Sequence, residues 1–131
     1  MNTMEMMQSM STGDMPMDKG AMQACMMSMN ACSMAATMCA GSDMMMGADM
    51  AKCCAMCSDM ADLADAGMRM LMRPAGYDMD AMRQTLAACM AMGKACAAEC
   101  RMHDDEHCRY CAMACDDMVA KCEAMMASMS A

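Results

Sequence analysis

The cysteines of this sequence are numerous, and three pairs of them have a spacing that suits metal binding. The chain has 131 residues, of which 13 are cysteine. The C-x3-C pairs are Cys53 with Cys57, Cys96 with Cys100, and Cys111 with Cys115. In a helix, side chains four residues apart lie on one face, so the two thiolates of a pair can bind the same ion. Thiolate and thioether ligands select a soft ion such as Cu(I) over Mg²⁺, Ca²⁺ or Mn²⁺. The pattern therefore predicts sites for Cu(I).

The other seven cysteines extend this pattern along the chain. They are Cys25, Cys32, Cys39, Cys54, Cys89, Cys108 and Cys122, and the first three are spaced by heptads. If each thiolate bridges two ions and each ion takes two thiolates, the capacity approaches one Cu(I) per cysteine, on the order of 13 ions. Exchange of a thiol proton for Cu(I) leaves the local formal charge unchanged, so a core can fill without gaining buried charge. Such a capacity is typical of a store rather than a single-site enzyme.

Other uses of cysteine fit the spacing less well. Zinc sites use C-x2-C pairs on knuckles, whereas Cys54–Cys57 and Cys108–Cys111 lie within predicted helices. The run nearest to an iron–sulfur motif, from Cys108 to Cys115, is one cysteine short. A disulfide scaffold would leave one thiol over, and cysteines on one face of a helix do not reach the geometry of a bridge.

The overall composition excludes several classes of protein. Hydrophobic residues make up 59% of the chain, but 32 residues are Met and none is Phe or Trp, so sulfur must line the interior. The formal net charge of -8 argues against nucleic acid and against an anionic membrane surface as partners. No apolar run is long enough to span a bilayer. The N-terminus does not resemble a signal peptide, so the protein is cytoplasmic if the chain is complete as given, and periplasmic or exported if it is a processed form.

Caps and helix breakers predict an all-α fold. Residues 1–17 are expected to form a flexible Met-rich arm, and residues 18–131 a four-helix-bundle copper-binding domain. The first predicted helix runs from Asp18 to about Ala40, where Gly41 ends it, and the second runs from Ser42 or Asp49 to before Pro74. The third runs from Asp78 to about Met102, and the fourth from Asp104 or Asp105 almost to the end of the chain. Short connections make neighbouring helices antiparallel, which gives an up-down-up-down bundle with a Cys- and Met-lined core.

Heptad counting predicts which side chains face the bundle axis. The predicted stripes of the first two helices are Met22, Cys25, Met29, Cys32, Ala36 and Cys39, and Met50, Cys53, Cys57, Met60, Ala64, Met68 and Leu71. Those of the last two are Met82, Cys89, Met92, Cys96 and Cys100, with Leu86 near the stripe, and Cys108, Cys111, Cys115, Met118, Cys122, Met125 and Met129. Free Cys and Met are apolar enough to serve as plain core residues. A Cys core, however, buries less area than a Leu core, and metal binding would supply the missing stability.

Both histidines are expected near one end of the bundle. His103 and His107 would meet Cys39, Met102 and the residues 44–46 there, so that imidazole and thioether groups can hand Cu(I) inward. Each His has an alternative use as a cap or as a solvated side chain at a helix junction. The candidate metal ligands are therefore the 13 cysteines together with His103, His107, Met45 and Met46.

The sequence also resembles a known family. The segments "ACMMSMNACSMAATMC", "KCCAMC", "ACAAEC" and "CRYCAMAC", within a stretch from about Asp18 to Ser130, resemble the bacterial copper storage proteins, especially their Met-containing, exported members. The resemblance implies a homotetramer of four-helix bundles, each holding many Cu(I) ions in its core, without redox catalysis. The Met content is higher than is usual in that family.

Two other functions remain as alternatives. A low-capacity copper chaperone or copper-detoxifying scavenger would use a few surface Met and His sites, whereas here the ligands are concentrated on inward stripes. A thiol enzyme or disulfide oxidoreductase would need C-x2-C at a helix N-terminus in an α/β context, and no strand-like run is present. A store also needs an acceptor for its ions, so a cuproenzyme or a chaperone is a candidate partner.

Overall fold

The computed structural model describes residues 2–11, 17–74 and 76–129, and within these ranges the chain is helical. The helices are α1 (Thr3–Ser9), α2 (Lys19–Met44), α3 (Ala51–Leu71), α4 (Met79–Cys100) and α5 (Glu106–Ser128), with a short 3-10 helix (Ala48–Met50) leading into α3. The all-α prediction is therefore confirmed, and α2 to α5 are the four long helices that the sequence predicted. None of the helices in the described ranges combines the length and the hydropathy of a membrane-spanning segment.

Capping explains where the long helices begin. The side chain of Asp18 accepts a hydrogen bond from the backbone N–H of Gly20 at 2.9 Å, and that of Asp78 accepts one from Ala81 at 2.9 Å. Both residues satisfy N–H groups that the first turn of a helix leaves unpaired. Asp105 occupies the N-cap position of α5. Three of the four long helices thus begin at the residues predicted from the sequence.

The predicted end of the first long helix is wrong. Gly41 does not stop α2, which continues to Met44. The glycine that turns the chain is Gly47, whose φ of 99° lies in the left-handed region that side chains disfavour. The additional turn of helix carries Asp43 into the protein interior, where its side chain is buried.

Contacts along the helices show that their neighbours run in opposite directions. On α2 and α5, Cys25 contacts Cys122 and Cys39 contacts Cys108, so residue numbers increase along α2 while those of the contacting residues on α5 decrease. The same holds for α3 and α4, where Cys53 meets Cys100 and Cys57 meets Cys96. Helix α2 packs against α3 and α5, and α4 packs against α3 and α5. The four long helices therefore form an antiparallel bundle.

The core contains most of the predicted stripes, with two exceptions. All predicted inward residues of α2 and α5 are buried, together with Met129 just after α5. Met92 and Met68 are only partly buried, and the inward positions belong to their neighbours Gly93 and Gly67. A Cβ on Gly93 would lie 2.7 Å from Cε of Met118, so α4 and α5 approach too closely for a side chain there.

Helix α1 is an element that the sequence analysis did not predict within residues 1–17. Asn2 caps it by accepting hydrogen bonds from the backbone N–H groups of Met4 and Glu5. The side chain of Met7 is only 2% exposed. Gln23 on α2 donates to the carbonyl of Met4 at 3.4 Å. Part of the Met-rich arm therefore packs on the bundle.

Candidate metal centre

Thiols from α2 and α5 face each other in three rungs along the bundle axis. The sulfur atoms lie 3.6 Å apart for Cys25 and Cys122, 3.8 Å for Cys32 and Cys115, and 4.0 Å for Cys39 and Cys108. The rungs repeat every seven residues on both helices because a heptad returns a side chain to the same face. Each rung places two buried sulfur atoms where a bound ion can join the two helices.

A denser thiol cluster surrounds Cys57 on α3. Its Sγ lies 4.0 Å from that of Cys53, 3.7 Å from those of Cys96 and Cys100, and 3.8 Å from that of Cys111. These five thiols belong to three helices, α3, α4 and α5, and all are buried. Because Cys57 touches four others, one thiolate at this position can bridge several ions.

Three groups of side chains are compact enough to surround a metal ion. The ligand atoms within each group lie within 4.8 Å of one another, and the groups are Cys39–Cys53–Cys57–Cys100, Cys57–Cys96–Cys100–Cys111 and Cys39–Asp43–His107–Cys108. The first two contain only thiols, whose chemistry suits Cu(I). They share Cys57 and Cys100, so the two thiol groups form one continuous cluster.

The surroundings of the thiols give them different pKa values. Burial raises the pKa of the Cys89 thiol to about 12 and that of Cys108 to about 11, because the charged thiolate loses its solvation. Hydrogen bonds from Cys100, Cys115 and Cys57 instead lower the pKa of Cys111 to about 4. Within the cluster, neighbouring S–H groups that donate to Cys111 therefore stabilise negative charge on its sulfur.

A buried carboxylate and a histidine lie at one end of the thiol core. We call this end the mouth, and it consists of Asp43, His107, Cys39 and Cys108. Nε2 of His107 is 2.9 Å from Oδ1 of Asp43. The thiols of Cys39 and Cys108 each lie 3.9 Å from a carboxylate oxygen of Asp43. The side chain of Asp43 is fully buried, while that of His107 is 27% exposed. The mouth therefore connects solvent to the first rung of thiols through one imidazole.

The second histidine forms a similar pair beside the mouth. Nε2 of His103 lies 2.9 Å from Oε2 of Glu99, a carboxylate that is only 7% exposed. Lys52 at the start of α3 reaches the other oxygen of Glu99 at 3.6 Å. A cavity of about 280 Å³ at this end of the bundle has both His103 and Cys100 in its lining.

A model of the family described as copper storage protein matches residues 16–127. This chain belongs to the copper storage protein family. The match includes all 13 cysteines and nearly the whole of the four long helices, so the membership of this family that the sequence predicted is confirmed. A search of the curated proteins gave no match.

Solved structures of a bacterial copper storage protein share the fold. Ccsp from Streptomyces lividans loaded with 10 copper equivalents is 32% identical, with a TM-score of 0.90, and the alignment covers 97% of this chain and 99% of that one. A cytosolic copper storage protein from the same organism with five coppers is 36% identical, with a TM-score of 0.80, and the alignment covers 82% and 93% of the two chains. These relatives bind several copper ions in a bundle similar to that of this chain.

Some predicted ligands lie outside the thiol clusters of this copper storage protein. The thiol of Cys54 is half-buried and points to the carbonyl of Ala40 at 3.4 Å. That of Cys89 is buried and lies 3.9 Å from the carbonyl of Leu63. Met45 and Met46 follow α2 with exposed side chains. The remaining cysteines lie in the rungs or in the cluster around Cys57.

Sequence reasoning missed the two buried carboxylates of this family member. Asp43 follows Cys39 by four residues, so it continues the inward stripe of α2, but the assumed helix end at Gly41 concealed this. Glu99 precedes Cys100 and lies one turn before His103. An acidic residue that continues a Cys stripe or lies one turn from a His is the signal that could have identified them.

Proposed function

We propose that this protein stores copper as Cu(I), bound by the buried thiols of the bundle. The observation that carries the proposal is the set of sulfur contacts of 3.6 to 4.0 Å, which extends from Cys39 and Cys108 at the mouth to Cys25 and Cys122 near the other end. A hydrophobic core has no need of clustered thiols, and each Cys buries less apolar area than Leu. Copper binding would supply the stability that this core lacks.

The number of buried thiols supports a capacity on the order of 10 ions or more, if each thiolate bridges two ions. Each Cu(I) displaces a thiol proton, so loading adds no net charge to the core. A relative is described as loaded with 10 copper equivalents, which is of the same order. The Cys57 cluster and the three rungs are the proposed storage sites.

We infer that copper enters at the mouth. His107 is partly exposed and touches the buried Asp43, which in turn touches two thiols, so burial increases along this line and the line ends at the soft ligands that Cu(I) prefers. The exposed thioethers of Met45 and Met46 follow the same end of α2 and suit a first capture of the ion. His103, which lines the same cavity as Cys100, is the second proposed entry ligand.

The burial of the thiol clusters favours storage without catalysis as the function. A low-capacity chaperone would need an accessible site, whereas the thiol clusters here are buried. A redox enzyme would need an open coordination position for a substrate, and the two thiol groups are closed to solvent by the helices around them. Release of copper to a cuproenzyme or a chaperone would then proceed through the mouth.

We further propose a homotetramer in a reducing compartment. Exposed apolar side chains lie on α2 and α5, including Met34, Met38, Tyr110 and Met113, and such a surface favours association. Free thiols at contact distance persist where the surroundings are reducing, and one relative is described as cytosolic. Light scattering should give four times the chain mass of 14.1 kDa, and a monomer would exclude the assembly.

The double variant Cys111→Ser with Cys115→Ser tests the storage proposal. These residues link the cluster around Cys57 to the rung at Cys32. The variant should bind fewer Cu(I) ions per chain, while circular dichroism shows that its helices are retained. A capacity equal to that of the unchanged protein would contradict storage in the thiol core.

A further inference from the structure

A groove lined by thioethers lies at the end of the bundle opposite the mouth. It consists of two adjoining cavities between α1 and the bundle, with volumes of about 360 and 130 Å³. Apart from Asn30, every lining residue is a methionine: Met4, Met26, Met27, Met68 and Met72 in the larger cavity, and Met6, Met7, Met10, Met26 and Met72 in the smaller. Met26 and Met72 line both cavities and therefore join them into one groove, which we call the methionine groove.

Abundant Met in the chain does not alone account for this lining. The cavity between α3 and α4 lies at the same end of the bundle, yet Arg73, Tyr77 and Asp78 line it together with Met70 and Met82. The methionine groove has no charged residue in its lining among the residues that the structure describes. Its donor atoms are thus almost entirely neutral sulfur, a set that selects soft ions.

Helix α1 is held in place beside the groove. Lys19 donates to the carbonyl of Gln8 at 3.0 Å, and Gln23 donates to that of Met4 at 3.4 Å. Met7 is buried, so one face of α1 is fixed against the bundle. These contacts bring thioethers that are distant in sequence, such as Met6 and Met72, around one space.

The exposure of the groove suits a cation bound by neutral ligands. Thioethers do not cancel the charge of Cu(I), so a fully buried site of this kind would carry an uncompensated charge at high cost. Met6, Met27 and Met72 are 57%, 54% and 41% exposed, which leaves the ion partly solvated. The net charge of -8 also attracts cations to the chain.

We propose that the methionine groove is a separate Cu(I) site, with thioether ligands from α1, α2 and α3. It contains no thiol, and it lies at the far end of α2 and α3 from the mouth. Thiolates bind Cu(I) more strongly because they carry charge, so this site fills after the core and exchanges its ion faster. It does not depend on the thiol core being a store.

Methyl NMR of the full chain labelled at methionine Cε tests this site. The core is first saturated with Cu(I) under anaerobic conditions, and further Cu(I) is then added. We expect about one more equivalent to shift the methyl signals of the groove methionines until they reach a plateau. The double variant Met26→Leu with Met72→Leu keeps the apolar volume but removes the two shared thioethers, and it should lose these shifts. The control Met56→Leu with Met90→Leu changes two partly buried methionines outside the groove and should keep them.

The outcomes separate this site from core storage. Groove signals that do not shift, that shift without reaching a plateau, or that shift equally in the Met26→Leu and Met72→Leu variant would overturn the groove site. A low copper count in the core together with saturable groove shifts would overturn core storage and leave the groove site standing.

Discussion

Nε2 of His107 lies 2.9 Å from Oδ1 of Asp43, and this contact joins the start of α5 to the last turn of α2. The carboxylate is buried, yet it also faces the thiols of Cys39 and Cys108. One side chain thus orients the partly exposed imidazole and contacts the first thiols of the core. This position makes Asp43 the residue on which entry of copper should depend.

Replacement of Asp43 by Asn should slow copper loading. The amide keeps the shape of the side chain but removes the negative charge that attracts Cu(I) and orients His107. By analogy with residues that orient metal ligands, we expect a loss of roughly 10-fold in the initial rate. Stopped-flow mixing with less than one equivalent of Cu(I) measures this rate, and final capacity should be almost unchanged.

The matched control for this change is Asp65→Asn. Asp65 is also partly buried, but it accepts a hydrogen bond from Ser33 between α2 and α3, away from the mouth. Its variant should load at the rate of the unchanged protein. Equal rates for the two variants would show that the mouth carboxylate has no part in entry.

Replacement of Cys57 by Ser should lower the copper capacity more than replacement of Cys54. Cys57 touches four other thiols, whereas Cys54 points to a backbone carbonyl. If each bridging thiolate holds two ions, Cys57→Ser loses about two Cu(I) ions per chain and Cys54→Ser about one or fewer. Anaerobic titration of both proteins measures the difference, and an equal loss would argue against the cluster.

Stability of the copper-free, reduced protein should decrease at high pH. The pKa of Cys89 rises from 9.0 to about 12 on burial, so the folded state keeps the thiol protonated while the unfolded state ionises. This contribution is complete below pH 9.0 and is lost as the pH rises toward 12. Between about pH 8 and 10.5, Cys89 alone should lower the free energy of unfolding by about 1–2 kcal/mol.

Urea unfolding at the two pH values tests this expectation. Cys108, whose pKa rises to about 11 mainly through burial, adds to the effect in the same direction. A Cys89→Ser variant should show a smaller decrease between the two conditions, because a hydroxyl does not ionise in this range. A decrease of equal size in the Cys89→Ser variant and the unchanged protein would contradict the burial of a neutral Cys89 thiol.

Two helical glycines should respond in opposite ways to replacement by Ala. A Cβ on Gly41 would meet nothing within 4 Å, so Gly41→Ala should stabilise α2 by about 0.5–1 kcal/mol. A Cβ on Gly93 would lie 2.8 Å from Cγ2 of Val119, so Gly93→Ala should destabilise the bundle by about 1 kcal/mol. Thermal unfolding of the copper-free protein measures both. A gain at Gly93 would mean that α4 and α5 are not tightly packed there.

Local rules predicted the bundle well because its signals are local. The caps at Asp18 and Asp78 and the heptad spacing of the cysteines depend only on residues near in sequence, and these predictions are confirmed. The sequence predicts a helix end at Gly41 because glycine is common at helix C-termini, but the contact of Asp43 with α5 favours another turn of helix. That contact is made between residues 64 positions apart, which no local pattern contains.

The thiol core and the methionine groove also differ in how far local sequence patterns predict them. The contact of Cys25 with Cys122 follows from antiparallel helices with heptad spacing, so the thiol core could be predicted from the sequence. The methionine groove could not, because it needs α1 to fold and pack on α2. A Met-rich segment alone does not show which bundle surface it will contact.

The most direct test of storage is a count of bound ions. The reduced, copper-free protein is titrated anaerobically with Cu(I) against a competing chelator, and helicity is followed throughout. The account predicts on the order of 10 or more ions per chain with the helices retained, since surface His and Met cannot bind so many. Saturation at about one or two ions would contradict core storage and indicate a copper chaperone instead.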